Sequence, residues 1–319
     1  ISIFSILNND LLLAIPFFTF MGTILEKCGL AEDMLDAMGQ LFGPIKGGLG
    51  YSVIIVGFIL GAITGTVAGQ VIAMALISLP VMLRYGYNTR YATGVLAASG
   101  TITQLVPPSL VLVVLADQLG RPVGDMYKGA WGPSLMQIAM FAIYTYALGV
   151  FKPEYVPGVP KEARTLNGWP LWRKCLKGII PSAVLIFTVL GSMGGLPFQD
   201  RAIATPTEAG AMGVVGALIL AAMHKRLTKD LLWEAMHGTM RLTAMVVFIL
   251  IGSRVFSLVF QGVDGAKWVE HLLSGLPGGQ VGFLIVVNLF VFFLAFFLDF
   301  FEIAFIIVPM LAPVADKMG

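Results

Sequence analysis

Charge is what this chain has least of. Lysine, arginine, aspartate and glutamate make up 12% of its 319 residues and apolar residues 57%, against about 25% and about 45–50% in soluble domains. That balance excludes a soluble globular domain and defines an integral membrane protein. The net charge of +2 says nothing about partners, because the cations gather in loops instead of covering a surface, and nucleic-acid binding is not indicated. Cysteine occurs only twice. Cys28 and Cys175 fall near helix ends on one expected side of the membrane, so free thiols are expected and no disulfide. Histidine occurs three times, as His224, His237 and His271, too dispersed for a metal cluster. No Ser/His/Asp set shares a depth either, which argues against an enzyme. No initiator methionine, signal peptide or charged leader opens the chain, and it stops at Gly319 directly after an apolar segment, so a fragment is expected.

What the chain does have is long uncharged runs. Tyr51 to Leu83 is 33 residues without a charge, roughly 50 Å as helix, too long for one crossing of a ~30 Å hydrocarbon core and too short for two. The length predicts a re-entrant hairpin. Its tip is expected at Thr64-Gly65-Thr66-Val67-Ala68-Gly69-Gln70, where glycines and β-branched residues weaken the helix. After Arg84 and Arg90 the next apolar helix is expected to break at Ser99-Gly100-Thr101 and Pro107-Pro108-Ser109. Irregular backbone at membrane depth needs protein or a polar cavity around it, so two interrupted elements in succession suggest an intramembrane binding site.

The remaining segments fall into order around this pair. Leu11 to Leu25 reads as a crossing, and Leu30 to Phe42 as an amphipathic interfacial arm on the stripe Leu30, Met34, Leu35, Met38 and Leu41. Trp131 to Phe151 crosses back, and Lys152 to Lys177 is a polar connecting loop with Trp169 and Trp172 suited to the interface. Gly178 to Met193 and Thr207 to Met223 are further crossings. A short polar arm at Thr228 to Met236, a crossing at Leu242 to Phe260, a second arm at Val263 to Leu273 and a second long apolar stretch at Phe283 to Ala315 complete the chain.

An offset of 233 residues superposes Gly29 on Gly262, Pro44 on Pro277, Pro80 on Pro313 and Gly86 on Gly319, with Thr66 on Asp299. The order of crossing, arm, proline and hairpin is preserved, which marks an internal repeat. Five crossings separate the copies, and an odd number inverts the second. The expected architecture is therefore an all-α polytopic membrane protein of inverted repeats, with two re-entrant hairpins and a discontinuous helix. Residues 1–151 form the first repeat (hairpin 49–85, broken helix 91–119), 152–177 a cytoplasmic loop, 178–226 connecting helices, and 227–319 an incomplete second repeat (hairpin 283–317). The same count puts fourteen basic residues on one side and five, Arg121, Lys128, Arg201, Lys267 and Lys317, on the other. The first side is then cytoplasmic.

The stretches GAITGTVAGQ, LPVMLRYGYNTRYATGVLAASGTITQLVPPS, TPTEAGA (Thr205 to Ala211) and FFLDFFEIAFIIVPMLAP (Phe296 to Pro313) resemble the large membrane subunit of tripartite ATP-independent periplasmic (TRAP) transporters. The likeness runs along the whole chain and is similar to the branch named for mannitol/chloroaromatic or 2-oxo-acid and lactate transport. It implies a sodium-coupled, elevator-type importer of small organic anions in the bacterial inner membrane, with Na⁺ as coupling ion and no other cofactor. A small membrane subunit and a periplasmic substrate-binding protein are the implied partners. It also implies further helices at both ends. Two departures stand out: Gln70, where many members carry aspartate, and Phe300-Phe301-Glu302, where members carry Pro-Thr after the aspartate.

Sodium favours several oxygen ligands, which hydroxyls and unwound carbonyls provide without burying a full charge. Thr64, Thr66, Ser99 and Thr101, with the carbonyls around Gly65, Gly100 and Val106, are the candidates beside Pro107 and Pro108. The same Thr and Gly residues could instead serve helix packing. Ser109 opens a half-helix whose free N–H groups suit an anion. Asp299 is a costly intramembrane carboxylate and a candidate site residue, the alternative being a hairpin cap in a wet cavity; Glu302 follows one turn later. Arg254 could neutralise either carboxylate or attract the substrate's own, or be half of a structural ion pair. Thr205, Pro206 and Glu208 also make an ordinary helix start. The nearest rival is a self-contained sodium–dicarboxylate symporter of related architecture.

Overall fold

A computed structural model describes residues 10–62, 67–160, 168–199, 201–275 and 277–318. Those residues form helices and connecting turns, with no strand among them. A 3-10 turn leads into α1 (Ala14–Lys27), followed by α2 (Leu30–Phe42), α3 (Gly48–Gly61), α4 (Val67–Arg84) and α5 (Thr89–Thr101). Beyond a second 3-10 turn (Ile102–Gln104) come α6 (Leu110–Leu119), α7 (Val123–Phe151), α8 (Trp169–Ser192), α9 (Pro206–Met223) and α10 (Lys229–Gly262). The chain ends with α11 (Gly265–Ser274), α12 (Gly279–Leu294) and a return limb of α13 (Phe300–Glu302), a π-helical turn (Ile303–Ile307) and α14 (Val308–Met318).

Four helices, α7 to α10, are long and apolar enough to cross a membrane, and α1 with α2 makes a fifth span if taken as one bent pair. The bend is 59°. It divides crossing from arm as the apolar stripe predicts: Leu30, Met34, Leu35 and Met38 are buried, while Glu32, Asp33 and Asp36 face out. Three boundaries differ from expectation. Trp169 to Lys177 is already helix, so the polar connection is shorter than 152–177, and α7 starts eight residues before Trp131. The polar arm at 228–236 and the crossing at 242–260 are one helix of 34 residues, because no proline interrupts it and its charged residues are good helix formers.

The two hairpins stand apart by length. With 14 residues in α3, 18 in α4 and 16 in α12, none exceeds about 27 Å, short of the ~30 Å core. Each is entered through a left-handed glycine, Gly47 (φ +78°) and Gly278 (φ +96°), a conformation that costs other residues about 1–2 kcal/mol.

α7 supplies the axis that orients them. At its Phe151 end the following loop receives the base of the first hairpin: Gly47 N–H donates to the Val156 carbonyl at 2.9 Å, Asn88 N–H to Tyr155 at 3.0 Å, and Val159 N–H to Gly43 at 2.8 Å. At the other end, just before α7, Arg121 pairs at 3.4 Å with Asp316, and the next residue, Lys317, pairs with Glu270 of α11. The base of the second hairpin therefore lies there. The two hairpins open on opposite faces of the molecule. Two further ion pairs respect this division: Lys27 with Glu234 and Lys174 with Asp36 join residues at the Phe151 face. Burial pushes the Asp36 carboxyl up, but hydrogen bonds from Lys174 and Gln40 and the Lys174 charge outweigh it and hold the group below its ordinary range.

This division makes a direct prediction. Cysteines placed at Pro160 and Phe198, both exposed, are expected to react with an impermeant thiol reagent from opposite sides of the membrane, over a low background because Cys28 and Cys175 are buried and free. Labelling of both from one side would contradict the arrangement.

Candidate functional site

Small residues bring α3 onto α5. Gly50 faces Tyr91, Gly57 faces Ser99 and Gly61 faces Thr103, so the two helices run in parallel toward one level. The contacts leave no room for a side chain: a Cβ on Gly57 would lie 3.0 Å from both Ser99 Cβ and the Ser99 carbonyl, and one on Gly61 would lie 2.9 Å from Thr103 Cα. α4 returns antiparallel and puts Val71 against Gly100, where a Cβ would come within 2.1 Å of a Val71 methyl. Three helix ends thus meet: the last turn of α3, the first of α4 and the last of α5.

The break in α5 falls later than the sequence suggests. Ser99, Gly100 and Thr101 are regular helix, and the chain leaves it only beyond Gln104. Gly100 serves close approach, not unwinding. The irregular stretch runs from Leu105 to Ser109 around a cis Pro107-Pro108 bond, with Val106 through Ser109 buried. The neighbours hold it. Leu105 and Val106 N–H both donate to Ile102, and the Ser134 hydroxyl of α7 reaches the Leu105 carbonyl at 2.9 Å. Ser109 is spent on its own helix, donating to Gln104 at 2.7 Å and accepting Val111 N–H at 3.2 Å as the cap of α6.

One hydroxyl here is left over. Thr23, Thr93, Thr145, Thr188, Ser134 and Ser182 all bond the carbonyl four residues back. Ser99 does not: it is 0% exposed and its Oγ has no partner among the described residues, a state shared with the hydroxyls of Thr19, Tyr127, Thr239 and Thr243. Ser99 stands at the junction of α3, α4 and α5, whereas Tyr127 lies where the start of α7 meets the end of α8. A buried hydroxyl without a partner costs about 1–3 kcal/mol, so the position is unfavourable unless something else fills it. Thr101, by contrast, is exposed and donates to Ala98 at 2.7 Å, and the Gly100 carbonyl receives the Thr103 hydroxyl at 2.8 Å. Thr64, Gly65 and Thr66 lie outside the described residues.

Sequence reasoning missed two participants, Thr103 and Gly57. The signal for the glycines was available, since Gly50, Gly57 and Gly61 recur at spacings of seven and four on one helix face.

At the second hairpin Asp299 is exposed and stands at the N-cap of the return limb, its N–H donating to Glu302 Oε2 at 3.2 Å. Thr205 and Glu208 make the same capping box at α9, the ordinary helix start. Arg254 is exposed and forms no ion pair among the described residues, so it is brought to neither Asp299 nor Glu302. α10 turns that face of its helix outward. The return limb packs on α6 and α10 through Phe301, Ala304 and Phe305. A cleft of about 590 Å³ between α2 and the outer side of the first hairpin lies away from the helix ends. Among the described residues no three of His, Cys, Asp and Glu converge as metal ligands.

Short hairpins opening on opposite faces, a proline-broken helix and four spanning helices define a polytopic membrane permease. Comparison with known proteins names the family. Residues 2–319 match the tripartite ATP-independent periplasmic transporter, DctM component, and the chain belongs to that family of large permease subunits of secondary transporters. It is 28% identical to the C4-dicarboxylate TRAP transporter large permease protein DctM of Pseudomonas aeruginosa, over 100% of this chain and 72% of that protein. It is 25% identical to the 2,3-diketo-L-gulonate TRAP transporter large permease protein YiaN of Escherichia coli, over 97% and 70%. A TRAP transporter large permease protein of Haemophilus influenzae is 27% identical over 96% and 73%.

Proposed function

We propose that this chain is the sodium-coupled membrane subunit of an importer for small organic acids, working with a small membrane subunit and a periplasmic binding protein in a bacterial inner membrane. The observation that carries the reading is Ser99, a fully buried, unpartnered hydroxyl at the meeting point of three helix ends. A sodium ion is the ligand that suits neutral oxygens in such a place. Ser99 contributes its hydroxyl, Thr64 and Thr66 contribute theirs, and Gly65 contributes its carbonyl. The amino end of α6, beyond Pro107-Pro108, faces the anionic substrate with the positive end of its dipole. Asp299 and Glu302 form the counterpart at the second hairpin.

Hairpins opening on opposite faces support alternating access of the elevator type, in which one site is served from each side in turn. The face carrying the Lys152 loop holds most basic residues and is cytoplasmic. Relatives of nearly equal identity are named for different acids, so overall likeness does not select the substrate.

The test is uptake into proteoliposomes holding the large and small subunits, screened over labelled small organic acids with and without the cognate binding protein. Accumulation that requires the binding protein is expected. Equal accumulation without it would favour the self-contained symporter.

A further inference from the structure

Gln70 is 1% exposed, a buried amide in the return limb of the first hairpin. Its Nε2 donates across the hairpin to the Gly57 carbonyl at 2.9 Å and lies 3.6 Å from Met74 Sδ. Gly57 is also the residue pressed against Ser99. The three therefore form a stack: amide, glycine backbone, orphan hydroxyl.

We infer that Gln70 is a positioning residue for the sodium site, a brace that fixes the end of α3, and with it the Gly57 backbone, against Ser99. The inference rests on the sodium reading of Ser99 and extends it to a residue that touches no ion. An amide suits the task because it donates to a carbonyl without bringing charge into the membrane. Donation to Gly57 adds a second bond to a carbonyl within the last turn and a half of its helix, where helix ends otherwise fray. The repeat supplies independent support. The offset of 233 residues lays Gln70–Met74 on Ile303–Ile307, the π-helical turn of the second hairpin. Both return limbs are thus specialised at the same place after the tip, one by a side-chain brace and the other by its backbone, and π-turns concentrate at functional positions.

The experiment compares wild type with Gln70→Met in the purified complex of large and small subunits. Methionine keeps length and volume and removes the donor. Sodium binding, read by displacement of radioactive sodium, is expected to weaken by about tenfold, the scale of one buried hydrogen bond. Hydrogen exchange is expected to quicken in peptides covering 57–72, and added sodium is expected to slow it in wild type far more than in the variant. Gln70→Asn, which keeps the amide on a shorter stem, is expected to fall between the two. A Gln70→Met protein that elutes as a single folded species with sodium half-saturation within about twofold of wild type and unchanged exchange at 57–72 overturns the brace. Wild type that binds no sodium overturns the ion reading instead, and the exchange rates then decide the brace alone.

Discussion

Leucine at Gly57 or Gly100 is expected to lower uptake by about a hundredfold while the protein still elutes as a single folded species, since overpacking by such groups costs about 1–3 kcal/mol locally. At Gly57 the obstacle is the Ser99 Cβ and carbonyl, each 3.0 Å from where a Cβ would stand, and at Gly100 it is Val71, whose Cα would lie 3.3 Å from an added Cβ. Neither neighbour can move without parting α5 from the hairpin, which separates the groups proposed to meet around the ion. Gly129 and Gly132 on α7 are the controls, because nothing lies within 4 Å of a Cβ there. Uptake within about threefold of wild type in Gly57→Leu would show that close approach is not needed.

Ser99→Ala separates two readings by sign. If the buried hydroxyl were merely unsatisfied, its removal would relieve a cost and leave the protein as stable or slightly more so, with transport intact. If it is an ion ligand, the variant keeps that stability but its sodium half-saturation rises by about tenfold or more, since one of few neutral oxygens is lost. Thermal stability and sodium binding measured on the same preparation decide between them. A stable variant with unchanged sodium affinity removes Ser99 from the site.

Legibility in the sequence followed the physical origin of each feature. The α2 arm was readable to the residue because Gly29 and Gly43 frame an amphipathic stripe. The join at Lys229 to Arg241 was not, since a polar run resembles a boundary although its residues propagate helix well. The glycine at position 100 reads as a helix breaker in the sequence, yet glycine serves packing as readily as unwinding, and only the position of Val71 tells which. Asp299 with Glu302 carried a legible capping pattern beside its intramembrane charge. The Gln70 to Gly57 bond depends on the register of two limbs joined by a turn, which no spacing rule sets.

The account stands on sodium at the meeting of α3, α4 and α5. Equilibrium binding of radioactive sodium to the purified complex, in potassium buffer, addresses this without knowledge of the substrate. Saturable binding that unlabelled sodium displaces, potassium does not, and Ser99→Ala weakens is the expected result. Absence of saturable binding, or binding indifferent to Ser99, would contradict it.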